Sequence, residues 1–152
     1  MMRTNKFNGS KILIFSSIFI ILCSVYSCAK TEVISDLDFQ KNLLAGSGSY
    51  QNTKRTWKID SLTLNGVAYK LSTIQKRYTR TFSRDGSYTD SDGVVGTWDM
   101  PTTTELSLTY KVGLTTLPIK NKFQLIDISS IQLHLKYDSA NFKQDVYFIL
   151  LN

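Results

Sequence analysis

A chain of 152 residues with 42% apolar and 12% aromatic side chains can bury one respectable core, which excludes a disordered chain and a large multi-domain assembly. The formal charge of +6 includes Arg3, Lys6 and Lys11; without them 15 basic residues face 12 acidic ones, a balance of +3 that is too mild for a nucleic-acid partner. The other cations, among them Lys54, Arg55, Lys76, Arg77, Arg80, Arg84, Lys120 and Lys122, are interspersed with carboxylates and read as a solvated surface.

Residues 1–27 have the order of an export signal: basic Arg3, Lys6 and Lys11, an apolar stretch over 12–22, then short residues before Cys28. A permanent membrane span needs about 20 apolar residues. Residues 12–26 supply fifteen, interrupted by Ser16, Ser17 and Ser24. Val25-Tyr26-Ser27-Cys28 resembles the lipobox of bacterial lipoproteins, which implies that the Cys28 thiol receives a diacylglyceryl group and that Cys28 opens the mature chain. A disulfide is the competing use of this thiol, but its one mate, Cys23, lies in the apolar core of the signal. Each buried methylene contributes about 0.8 kcal/mol, so two or three acyl chains suffice for durable membrane attachment without an apolar surface on the folded domain. The expected location is the cell envelope, as an outer-membrane lipoprotein, because Ala29 does not resemble the aspartate that retains such proteins in the inner membrane. Lys30-Thr31-Glu32 leaves open whether the periplasmic or the surface face is occupied.

Residues 29–36 carry no periodicity and read as a tether that reaches roughly 26 Å when extended. Ser35 or Asp36 can cap a short helix with Leu37, Phe39 or Gln40, Leu43 and Leu44 at helical spacing, ending at Ala45-Gly46. After the flexible Gly46-Ser47-Gly48-Ser49 the pattern changes to alternation. The first strand is expected over 55–64 with a phase change at Ser61, followed by an Asn65-Gly66 hairpin turn and a return strand over 67–71. Residues 77–83 alternate Tyr78, Arg80 and Phe82 against Thr79, Thr81 and Ser83, and Arg84-Asp85-Gly86-Ser87 is a turn. Strands follow at 88–90 and 94–100, the latter ended by Pro101, and then at 105–112, 123–128, 130–137 and 144–151. The strand over 130–137 sets Ile131, Leu133, Leu135 and Tyr137 against Gln132, His134 and Lys136. The last strand is apolar on both faces, and the helix over 37–44 is a candidate cover for the outer one.

Short strands joined by tight turns make an all-β, antiparallel up-and-down meander of about eight strands. Thr56-Trp57-Lys58-Ile59, the Phe82-Ser83-Arg84-Asp85-Gly86-Ser87-Tyr88 hairpin, Gly96-Thr97-Trp98 and Leu106-Ser107-Leu108 resemble the small lipocalin-like lipoproteins common in Bacteroidetes. The resemblance covers residues 53–151 and implies a closed barrel, although Arg55 stands where the lipocalin pattern has glycine two residues before the first tryptophan. It divides the chain into a signal peptide (1–27), a lipid-anchored tether with a short helix (28–52) and a lipocalin-like β-barrel (53–152).

The large inward candidates for a core or a ligand-lining wall are Trp57, Phe82, Tyr88, Trp98, Leu108, Leu133, Leu135 and Tyr147, beside Tyr110, Phe123 and Tyr137. An eight-stranded barrel either fills with such side chains or holds one small ligand, and both outcomes stay open. The chain has one histidine, His134, at a polar-face position, and no glycine-rich phosphate loop; no catalytic residue, metal ligand or cofactor is expected. Asp90-Ser91-Asp92-Gly93 starts like a calcium loop but lacks its late glutamate, and turn chemistry accounts for it better. The two functional expectations are a membrane-tethered barrel that binds a small hydrophobic molecule, and a non-enzymatic structural or protein-interaction module of the envelope with a filled core and an unidentified protein partner.

Overall fold

The computed structural model describes residues 35–47, 53–111 and 117–151. Residues 1–34, 48–52, 112–116 and 152 lie outside the described residues, and with them the expected signal peptide over 1–27, Cys28 and most of the expected tether. No helix among the described residues is long and apolar enough to cross a membrane.

The first element is helix α1 (Asp36–Ala45), and its ends are set by local chemistry. Ser35 Oγ accepts the Asp38 N–H at 3.1 Å, and Asp36 and Asp38 place negative charge in the first turn, where the helix dipole favours it. Gly46 ends the helix at φ 98°, a backbone conformation that glycine adopts without a Cβ penalty.

Nine strands follow among the described residues: β1 (Lys54–Leu64), β2 (Val67–Ala68), β3 (Thr79–Ser83), β4 (Ser87–Asp90), β5 (Val95–Thr102), β6 (Glu105–Tyr110), β7 (Ile119–Ile128), β8 (Gln132–Ser139) and β9 (Phe142–Leu150). All neighbours are antiparallel, and β9 returns to pair with β1 from Trp57↔Leu150 to Leu64↔Gln144. The result is a closed barrel of eight strands, the two-residue β2 being a side hairpin on β1. This is the all-β, antiparallel up-and-down meander that the alternation implies, closed into the lipocalin-like barrel that the resemblance implies.

Three register shifts let the strands bend around the closure: at Asp60 in β1, between Asp99 and Thr102 in β5, and at Ile126 in β7. The first is the phase change at Ser61. The second corrects the expectation that Pro101 ends its strand. The strand continues to Thr102 because the irregular register removes the requirement for a ladder N–H at the proline.

The interior is apolar in its lower half, where Trp57, Phe82, Leu106 and Leu135 are completely buried and Tyr88, Met100, Leu108, Leu133 and Phe148 nearly so. Phe82 meets the Trp98 ring edge-on at 6.0 Å between centroids and Tyr88 at 5.5 Å. Helix α1 closes this end of the barrel by packing against β1, β3, β5 and β7. Two carbonyls of its last turn, which have no partner within the helix, are satisfied by β1: Trp57 Nε1 donates to Leu44 O and Arg55 Nη1 to Leu43 O, each at 2.8 Å. Arg55 thus has a structural role where the lipocalin pattern has glycine. Helix and barrel belong to one compact unit, Ile34–Asn152.

The helix therefore does not cover the outer face of β9, where Tyr147 and Ile149 remain about 40% exposed. The return strand expected over 67–71 is also shorter than the pattern implied. Asn65 and Gly66 adopt φ 51° and 81°, as the turn requires, but pairing stops after Ala68. The chain then swings across the upper end of the barrel through a 3-10 turn (Gln75–Arg77), burying Leu71 on the way.

Candidate functional site

The upper half of the barrel, away from α1, is not filled. The upper half of β1 is flanked by β2 instead of β3, and the segment 69–78 bridges the gap through Tyr69 N to Leu62 O (2.8 Å) and Ile59 N to Tyr78 O (3.0 Å). Beneath this segment lies a cavity of about 520 Å³, within the range of small-molecule sites. Its walls are mainly apolar, from Ile59, Leu62, Leu71, Val146 and Phe148, with Ile74 at the rim 83% exposed.

Two wall residues are cations: Arg77, exposed on the bridging segment, and Arg80, whose guanidinium is buried. Arg80 sits on β3 between Tyr78 and Phe82, in phase with both, so period-2 geometry turns it into the barrel. This corrects the reading of Arg80 as a solvated surface charge. The guanidinium carbon lies 5.0 Å from the Phe123 ring centre, 5.3 Å from that of Phe148 and 5.6 Å from that of Tyr78, all within cation–π range. Arg80 Nε donates to the Tyr78 hydroxyl at 3.1 Å. Arg80 Nη1 is buried and has no hydrogen-bond acceptor.

The nearest compensating charge is held at one remove. Asp90 Oδ2 accepts from the hydroxyls of Tyr78 (3.1 Å) and Tyr88 (3.0 Å), while Asp90 Oδ1 accepts the N–H groups of Asp92 and Val94, each at 3.0 Å. The second pair of bonds fixes the turn at 91–93, which accounts for the calcium-like sequence there. Burial opposes the Arg80 charge, but the Tyr78 and Tyr88 phenols and Asp90 outweigh it, so the guanidinium pKa is raised and Arg80 stays charged. Burial pushes the Tyr88 phenol well above its ordinary range, against the pull of Arg80, and keeps it a neutral donor.

The sequence-derived wall residues divide into two groups. Trp57, Phe82, Tyr88, Trp98, Leu108, Leu133 and Leu135 are buried, but they form the packed layers below the cavity instead of its lining. Tyr147 is not inside: it points outward and stacks on His134, with ring centres 4.1 Å apart. The reason is register, because Phe148 pairs with inward Ile59 and so turns Tyr147 out. His134 also faces outward, with Nε2 3.1 Å from Asp145 Oδ1. Arg80, Ile59, Leu62, Leu71 and Val146 were missed as wall residues; for Arg80, its alternation in phase with Tyr78 and Phe82 was the available signal.

Comparisons with family models, with curated proteins and with solved structures return no match. Class therefore rests on architecture: an eight-stranded, lipocalin-like barrel plugged by a helix at one end and hollow at the other.

Proposed function

We propose that this protein is a membrane-tethered barrel that takes a small, largely apolar molecule into the chamber above Phe148 and Val146. The chamber itself carries the reading. A barrel serving only as a rigid module gains stability by filling its interior, since an empty apolar space forfeits packing contacts. Here one half is densely packed and the other holds about 520 Å³ open beneath a bridging segment.

Tethering rests on the sequence of Cys28 and its flanks. Lipidation would fix the protein at a bilayer, where apolar molecules concentrate, and leave the barrel free to load through the rim at Ile74. Two measurements test the two halves. Native mass spectrometry of the full-length chain, released from phosphatidylcholine nanodiscs, should show a co-purified small molecule at one per chain. A chain that carries none and takes up none from the lipid contradicts the chamber reading. Cys28→Ala should abolish the acyl mass increment and leave an unprocessed precursor; a processed, membrane-bound Cys28→Ala chain contradicts the tether.

A further inference from the structure

Arg80 narrows the ligand class, an inference that rests on the chamber being a binding site. We infer that the chamber selects an apolar molecule bearing one carboxylate, with the acid group received by the Arg80 guanidinium.

Charge and geometry both lead there. A cation inside an apolar barrel is costly unless it is paired, and the costs of an unpaired buried donor and of a desolvated charge add. Arg80 has three aromatic faces and one hydroxyl around it, yet Nη1 lacks an acceptor and Asp90 reaches it only through the Tyr78 hydroxyl. A methionine or leucine at this position would suit an apolar barrel better. What arginine adds is a planar fork of donors that matches a carboxylate. Asp90 is occupied by four hydrogen bonds, two to tyrosine hydroxyls and two to the 91–93 turn, so it is held back from the guanidinium. Among the other wall side chains, Ile59, Leu62, Leu71, Val146 and Phe148 offer apolar surface that suits the hydrocarbon part, while Asp92 and Arg77 bring one charge of each sign. Arg77, an exposed cation of the bridging segment that also lines the chamber, offsets the Asp92 carboxylate there and favours approach of an anion.

The test uses the full-length chain in phosphatidylcholine nanodiscs, with protein-free discs subtracted. The uncharged fluorophore N-phenyl-1-naphthylamine reports chamber occupancy, and dodecanoate and dodecanol compete for it. Dodecanoate should displace the fluorophore at about a tenth of the dodecanol concentration or less, as expected for one charge-assisted contact. Arg80→Met should bring the two competitors to within about twofold of one another, whatever its absolute affinity for the fluorophore. If dodecanol competes as well as dodecanoate in the unaltered chain, the acid-group inference is overturned and the chamber stands. If the fluorophore does not bind at all, the chamber reading itself falls. The comparison of the two competitors in the unaltered chain needs no variant, so it decides the question even if Arg80→Met fails to fold.

Discussion

Arg80 and Asp90 are direct partners in the β3–β4 register, yet the two charges communicate through the Tyr78 hydroxyl, which accepts from Arg80 Nε and donates to Asp90 Oδ2. A direct ion pair would neutralise the guanidinium and close the site chemically. The relay holds the aspartate in its turn and leaves the cation available to the chamber. Tyr78→Phe should remove it, leaving Arg80 Nε without an acceptor and destabilising the fold by about 1–3 kcal/mol in urea denaturation. An unchanged midpoint would show that the relay contributes nothing to the folded state.

Arg80→Met has the opposite sign on stability. Replacing a buried, incompletely paired cation with an apolar side chain of similar length is often neutral or stabilising by about 1–4 kcal/mol. Thermal unfolding of the variant should therefore occur at or above the temperature of the unaltered protein. A large loss of stability would mean that Arg80 is a structural keystone and that its placement needs no ligand.

The helix plug depends on Trp57. Trp57→Phe preserves most of the buried ring but deletes the donor to Leu44 O, and a buried carbonyl left without a partner costs about 1–3 kcal/mol. Hydrogen exchange at Asn42–Gly46 should accelerate more than exchange in β7 or β8, because the lost bond anchors the helix terminus. Equal acceleration throughout would mean that helix and barrel open as one unit.

Gly96 has a steric role that its neighbours in sequence do not share. A Cβ there would meet Thr109 O and stand 2.7 Å from Tyr110 Cβ, so Gly96→Ala must shift β6 backbone, at about 1–3 kcal/mol. Gly93, at φ 82°, has open space around it, and Gly93→Ala tests backbone strain alone. Gly96→Ala should lower the urea midpoint more than Gly93→Ala.

Glu105 is a traceable source of acid sensitivity on the surface. The Lys122 ammonium, 3.0 Å from Glu105 Oε1, holds the Glu105 carboxyl below its usual value of 4.5. A folded pKa below the unfolded one means that the unfolded chain binds the proton more readily as pH falls. The contribution of Glu105 is thus fully present above pH 4.5 and is lost as pH drops through the folded value. The unfolding temperatures of the unaltered protein and of Glu105→Gln should differ most near neutrality and converge in acid; a gap that widens in acid contradicts the assignment.

Much of the architecture was readable because it is local. Asn65-Gly66 must turn, Ser35 caps its helix, and the phase change at Ser61 marks a real bulge beside Asp60. What alternation cannot fix is which phase faces inward when both are apolar, and for Val146-Tyr147-Phe148-Ile149 the pairing with Ile59 on β1 decides it. Nor could the pattern show that Leu71 leaves its hairpin to roof the barrel, since that depends on the gap between β1 and β3. Arg80 is the instructive miss: its charge argued for solvent, and its position between Tyr78 and Phe82 argued for the interior. Position prevailed because the strand admits only two faces.

The central claim is that the upper barrel is a binding chamber, and filling it tests that claim most directly. Leu62 is buried on its wall, and Leu62→Trp projects an indole into the open volume. Titration with N-phenyl-1-naphthylamine in nanodiscs should give one saturable site per chain in the unaltered protein and at least about tenfold weaker binding in Leu62→Trp, with the unfolding midpoint retained. Equal binding by both chains would contradict the account, as would an unaltered chain that does not bind.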